Sequence, residues 1–204
     1  MESKVVGPLW FSDRTLKSLI TIFYVGEYIS RRHPRRHAAS EASLLMDRIK
    51  KGEPNACTLY AGYAFDAMDL YLACLTETHR EKPIIIPVPS EHGGTQLIAT
   101  ELATRLSATV NPLITFTPDH IKQHDIEDPA ERERNALRMK LWLDTQPSVH
   151  TPPDSPPTFI IVDDVITTGA TVAQAAKLLA QQFHACEIWI VGMRAVEAKL
   201  KNDY

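Results

Sequence analysis

The stretch that most restricts what this chain can become is FIIVDDVITTGAT, residues 159–171. Phe159, Ile160, Ile161 and Val162 run without alternation into Asp163 and Asp164, the pattern of a strand buried on both faces that ends in two carboxylates. A loop of small residues follows. Behind it Val172, Ala175, Ala176, Leu179 and Phe183 recur at helical spacing, with Thr171 and Gln174 placed as a capping box. Strand, acidic pair, hydroxyl-and-glycine loop and helix together make an α/β unit.

That unit suits a phosphorylated sugar. Backbone N–H groups at a helix N-terminus have no intrahelical partner and sit at the positive end of the dipole, so a phosphate docks there. Threonine hydroxyls add donors, and Gly169 lets the main chain come close. Carboxylates one step earlier accept hydrogen bonds from adjacent sugar hydroxyls, directly or through the waters of a bound metal ion. A strand-end Asp pair also occurs in phosphoacceptor domains and in solvated turns, but neither needs a TTGAT loop and helix start behind it. A Walker-type loop needs Gly-Lys-Ser/Thr, and the sequence contains no such run.

Length and charge narrow the setting. At 204 residues the chain fits one α/β domain with additions, or a domain and a small lobe. A net charge of −3 gives no global pull towards nucleic acid or membrane. No apolar run reaches the roughly 18 to 20 residues that span a bilayer, and MESKVVGPLW lacks a signal-peptide core, so a cytoplasmic location with no membrane partner is expected. Cys57, Cys74 and Cys186 lack CxxC spacing and are expected as reduced core thiols.

Along the chain, Ser12 is placed to cap a helix carrying Leu16, Leu19, Ile20 and Phe23, ending near Gly26. RRHPRRH, residues 31–37, gathers Arg31, Arg32, Arg35 and Arg36 on a loop or helix ends, since Pro34 stops a helix from running through. Such a run is either a solvated basic surface or a contact for phosphates, nucleic acid or an acidic partner. A helix is expected over residues 40–50 with Leu44, Leu45 and Ile49 inward, and another over 65–76, with 58–63 a short strand or the start of that helix. IIIPVP, residues 84–89, reads as a buried strand cut by proline, SEHGGT as a loop, and 97–106 as a helix. This second strand-loop-helix unit should bring residues 87–95 to the same cleft as the TTGAT loop.

Residues 109–116 read as one short strand, and 117–128 are polar and aperiodic, which suits a mobile loop. Asp128, Pro129 and Glu131 mark the start of a helix carrying Arg132, Arg134 and Asn135, then Leu137, Leu141 and Trp142. Five prolines in residues 147–158 make a stiff linker back to the sheet. Residues 187–191 read as a final strand and 195–201 as a closing helix.

The 159–171 stretch resembles the phosphoribosyl pyrophosphate (PRPP) fingerprint of type I phosphoribosyltransferases. With PVPS at Pro87, Val88, Pro89 and Ser90, and Arg132-Glu133-Arg134-Asn135 before an apolar segment, it is similar to the ComF-type (competence protein F-like) branch. The resemblance implies a central parallel sheet flanked by helices, with residues 1–80 a helical hood and 81–204 the PRPP-binding core of one compact domain. It assigns Asp163 and Asp164 to the ribose hydroxyls. Thr167, Thr168, Gly169, Ala170 and Thr171 go to the 5′-phosphate, and Pro87 to Ser90 to the pyrophosphate side. Two departures stand out: the family's four-cysteine N-terminal module is missing, and His92-Gly93-Gly94-Thr95-Gln96 replaces its Arg-Gly-aromatic-Asn-Gln run.

The expected function is transfer of ribose 5-phosphate from PRPP to a nitrogen nucleophile, with Mg2+ carried mainly by the ligand rather than by a dedicated protein site. His120, Lys122, His124, Arg132 and Arg134 are candidates to close over the diphosphate. The alternative is a PRPP- or nucleotide-binding regulator or accessory subunit without turnover. Expected partners are PRPP, a nucleobase acceptor, a second copy of the chain in a homodimer, and a protein or nucleic acid at Arg31, Arg32, Arg35 and Arg36.

Overall fold

Phe159, Ile160, Ile161 and Val162 are fully buried at the centre of β6 (Thr158–Ile166). β6 has a parallel partner on each edge, β2 (Ile84–Pro87) and β7 (Glu187–Val196), and a core on each face. Beyond these, β1 (Ile20–Ile29) pairs with β7 and β3 (Thr109–Val110) with β2, so the order is β1-β7-β6-β2-β3 with every pairing parallel. The structure is a computed structural model that describes residues 20–78, 82–121, 126, 128–141, 157–183 and 186–196.

The two-residue period of the strands sorts their side chains between two cores. Phe23, Ile85, Ile160, Val162, Trp189 and Val191 face α2 (Glu41–Lys50), α3 (Pro54–Thr78) and α4 (Gly94–Leu106). Ile22, Ile86, Phe159, Ile161, Ile188 and Ile190 face the other way, towards α6 (Ala170–Gln182). An antiparallel ribbon of β4 (Ile114–Phe116) and β5 (Met139–Leu141) joins this second core, and α5 (Pro129–Ala136) packs beside it on α6. Each fully buried Ile or Val stabilises the fold by on the order of 1.5–3 kcal/mol. The class is α/β, a parallel sheet flanked by helices, as expected.

Several elements differ from the sequence reading. Ile20 to Phe23 lie on a strand, not on the helix expected after Ser12; residues 1–19 lie outside the described residues. The run ITIFYV is β-branched and aromatic, and β1 buries both faces, Ile20, Ile22 and Tyr24 on one and Phe23 and Val25 on the other. Part of the expected hood is therefore a strand of the sheet. As expected, no helix runs through Pro34; it begins α1 (Pro34–Ala38), where its missing N–H costs nothing in a first turn. Ser40 caps α2 by accepting from the Ser43 N–H, but Leu44 is exposed; Leu45, Met46 and Ile49 point inward.

Residues 58–63 belong to α3, which runs from Pro54 as one helix. The single strand expected over 109–116 is divided by Asn111 and Pro112 into β3 in the sheet and β4 in the ribbon. Asp128 caps α5 through the Ala130 N–H at 3.0 Å. That helix stops at Ala136, so Leu137 is exposed and Leu141 lies in β5. Ala195 and Val196 extend β7, paired with Tyr28 and Ile29, instead of opening a helix. Trp142, residues 147–156 and residues 197–204 lie outside the described residues. Cys57 and Cys186 are buried and free, and burial raises both thiols, Cys186 to about 11. Among the described residues no helix is long and apolar enough to cross a membrane.

Candidate functional site

All five strands run the same way, so the loops after β2 and β6 leave neighbouring positions at one edge of the sheet, with Pro87 paired to Val162. The acidic pair follows at once. Between Val162 and Val165, β6 advances three residues while β7 advances two, from Val191 to Met193, so Asp163 and Asp164 sit on a bulge. Gly192 makes room for it: a Cβ there would lie 2.7 Å from Ile166 side-chain atoms and 3.4 Å from the Asp163 carbonyl oxygen.

Each carboxylate accepts from the next main-chain N–H, Asp163 Oδ1 from Asp164 at 2.9 Å and Asp164 Oδ1 from Val165 at 2.6 Å. The buried Tyr60 hydroxyl donates to the Asp163 carbonyl at 3.3 Å, tying α3 to the bulge. Lys50 Nζ, at the end of α2, stands 3.9 Å from Asp164 Oδ2. Asp163 is buried and Asp164 half-buried. Burial, and then the charge of Asp164, raise Asp163 well above the ordinary carboxylate range; the Asp164 N–H and Lys50 oppose them without winning.

Past the bulge the chain turns into α6. Gly169, not Thr171, is the N-cap, with φ of 79°, a left-handed conformation that glycine adopts without steric cost. The expected capping box of Thr171 and Gln174 therefore does not form, because Thr171 already lies inside the first turn. Thr168 Oγ1 accepts instead from the Ala170 N–H at 3.4 Å. Thr167 is exposed, Thr168, Ala170 and Thr171 are half-buried, and Gly169 is buried.

The loop after β2 is fixed by one main-chain bond and by the Thr95 side chain. The Val88 N–H donates to Val162 O at 2.9 Å, continuing the ladder past Pro87. Thr95 Oγ1 donates to Val88 O at 2.7 Å and stands 3.1 Å from Ser90 Oγ, which draws the start of α4 back onto Pro89 and Ser90. The structure thus gathers Pro87 to Ser90, Asp163, Asp164 and the start of α6 at one end of the sheet.

Of the five residues expected to close over the diphosphate, the side chains of His120 and Arg134 are described, and each contacts a near neighbour in sequence. His120 stacks on Phe116, ring centroids 3.7 Å apart and 14° from parallel, with its Nε2 buried and without a hydrogen-bond partner among the described residues. Burial first, and Arg138 second, lower its pKa, against the opposing charge of Asp119. Arg134 pairs with Asp128 at 3.8 Å. Lys122, His124 and the side chain of Arg132 lie outside the described residues. Asn135 accepts from the Ile121 N–H at 2.9 Å and donates to the Ile121 carbonyl at 2.6 Å, pinning this segment to α5.

Sequence reasoning missed a cluster beside the acidic pair. Tyr28 and Arg31 at the end of β1, Asp47, Lys50 and Lys51 on and after α2, and His92 in the loop after β2 line a cavity of about 350 Å³. Arg31, exposed like Arg32, Arg35 and Arg36, differs from them in lining this cavity and pairing with Asp47 at 2.9 Å. His37 is buried, with Nδ1 facing the Ile29 carbonyl oxygen and Nε2 facing Asp47 Oδ2 at 2.9 Å. No spacing rule links positions 28, 50 and 92; a parallel sheet brings them together.

No family model and no curated protein matches the sequence. Among solved structures the chain is similar to a crystal structure of adenine phosphoribosyltransferase, at 17% identity over 68% of this chain and 71% of that one, with a TM-score of 0.42.

Proposed function

We propose that the chain binds PRPP at the end of the sheet and transfers its ribose 5-phosphate to a nitrogen nucleophile, releasing pyrophosphate. The supporting observation is the pairing of two bulged carboxylates with a glycine-capped helix start on one strand-loop-helix unit, beside the Pro87 to Ser90 loop of the next. The Asp163 and Asp164 carboxylates accept the 2′- and 3′-hydroxyls, and the first N–H groups of α6 with Thr167, Thr168 and Thr171 hold the 5′-phosphate. The bond from C1′ to the diphosphate oxygen breaks, the electron pair leaves with the diphosphate, C1′ bonds to nitrogen, and the nitrogen's proton is lost. Work of this kind is positioning and charge stabilisation.

Mg2+ fits the donor set as a ligand-borne ion. Asp163 and Asp164 each accept one main-chain N–H, and as carboxylates they could also accept from the waters of such an ion. The metal would supply charge neutralisation of the leaving diphosphate.

A second reading, binding without turnover, has its own support. Arg134, one of the residues expected to close over the diphosphate, pairs with Asp128 at 3.8 Å, and Arg138 with Asp119 at 3.3 Å. Pyrophosphate release separates the two readings. Protein, PRPP and Mg2+ are incubated with purines, pyrimidines and amines; transfer predicts base-stimulated release that the Asp163→Asn, Asp164→Asn double variant abolishes. PRPP binding with no release in any mixture would overturn transfer and leave the binder.

A further inference from the structure

Tyr60 is fully buried on α3, in the core cluster that also holds Val162, Trp189, Val191 and Met193 of the sheet. A ring alone would fill that space. The hydroxyl adds a cost, because a polar group taken out of water is unfavourable unless it finds a partner. It donates to the Asp163 carbonyl oxygen at 3.3 Å, and the Met193 main-chain N–H of β7 is directed at the hydroxyl oxygen. One hydroxyl thus meets both strands at the bulge. Burial first, then the charges of Asp164 and Asp163, raise the phenol well above its ordinary value against the opposing Met193 N–H, so the group stays protonated and able to donate.

The bulge decides where the acidic pair goes. Val162 and Val165, three residues apart, both pack towards α2, α3 and α4, whereas Ile161 and Ile166 pack on the opposite face. In an unbroken strand residues three apart face opposite ways, so the extra residue at Asp163-Asp164 is what returns Val165 to the side of Val162. Straightening β6 by one residue would exchange the faces of everything after Val162, and the carboxylates would move with it. Gly192 gives the bulge room, and Tyr60 gives it a donor from outside the sheet.

We propose that Tyr60 is a positioning residue whose hydroxyl holds the β6 bulge in the form that presents Asp163 and Asp164 to the ribose. The inference deepens the PRPP reading and rests on it. The competing role is that of a core ring whose hydroxyl has met a nearby acceptor. Tyr60→Phe separates the two, since it keeps the ring and removes only the oxygen. Two measurements are made on the whole chain: calorimetric titration of PRPP with Mg2+, and hydrogen exchange at the Asp164 and Val165 amides, which the Asp163 and Asp164 carboxylates bond.

Tyr60→Phe should bind PRPP at least about tenfold more weakly, the equivalent of about one hydrogen bond. The Asp164 and Val165 amides should exchange faster, while the Ala64 amide inside α3 keeps its wild-type rate. Gly192→Ala strains the same bulge from β7, so the double variant should lose less affinity than the two single losses combined. A folded Tyr60→Phe with wild-type affinity overturns the inference, and so does faster exchange at Asp164, Val165 and Ala64 alike, which marks general loosening. Should Tyr60→Phe not fold, Gly192→Ala carries the test: its PRPP affinity should also fall at least about tenfold, and wild-type affinity in the folded variant overturns the inference. A wild type that does not bind PRPP overturns the reading beneath it, and that failure is told apart because the exchange measurement needs no ligand.

Discussion

Asp163 is a carboxyl held where its charge is expensive, under burial and beside Asp164. Its folded pKa lies above its unfolded one, so the stability it lends is full below the unfolded value and is lost as pH rises through the raised folded value. Asp163→Asn keeps the shape and the acceptor for the Asp164 N–H but removes that cost. The variant should melt higher than wild type at about pH 8, with the gap closing by about pH 4. Asp47, whose pKa is held low and whose contribution fades as pH falls, is common to both proteins and cancels. The same variant should bind PRPP more weakly by about 1.5–3 kcal/mol, stability gained where function is lost. An unchanged or lower melting point at the alkaline end would contradict the assignment of Asp163 as a strained, functional carboxyl. Gly192→Ala probes the bulge from behind: its methyl would sit 2.7 Å from Ile166 side-chain atoms, and overpacking of this kind costs about 1–3 kcal/mol, readable as a lower urea midpoint with an unchanged slope.

At the scale of elements, the parts legible in sequence were those whose signal is local. Four apolar residues before two aspartates gave β6, Ser40 gave the start of α2, and Asp128-Pro129 gave the start of α5. What failed had two readings that only packing decides. Leu16, Leu19, Ile20 and Phe23 carry helical spacing, yet Ile20 to Val25 also carry strand propensity, and pairing with β7 selects the strand. The cleft-side cluster of Tyr28, Lys50 and His92 was invisible because its members lie on three separate elements. Asn135, read only as part of a charged helix start, is a buried clamp. Asn135→Ala should therefore leave both Ile121 backbone groups without their protein partner and destabilise by about 1–3 kcal/mol per group left buried. Faster hydrogen exchange at the Ile121 amide is the check, and unchanged exchange would contradict the clamp. The basic run also divides: all four of its arginines are exposed, but Arg31 is paired with Asp47. If Arg32, Arg35 and Arg36 neutralise nucleic-acid phosphates, replacing them by Ser should flatten the salt dependence of binding by about 0.9 in log-log slope per phosphate lost from a duplex. Wild-type binding that does not vary with salt would leave them a solvated surface.

For the whole molecule, the parallel sheet is what turns scattered sequence signals into a site. It places the carboxylates of β6 beside the proline-bearing loop of β2, with one helix layer supplying Lys50 and Tyr60 and the opposite layer supplying the Gly169 cap. The central claim is that this end of the sheet binds PRPP through Asp163 and Asp164. Calorimetric titration of PRPP with Mg2+ into wild type and the Asp163→Asn, Asp164→Asn double variant tests it most directly, with thermal melts showing that both proteins are folded. The account predicts saturable binding by the wild type and affinity at least about tenfold lower in the variant, from the loss of one or more hydrogen bonds to a charged group. Equal affinity in the two folded proteins, or no binding by the wild type, would contradict it.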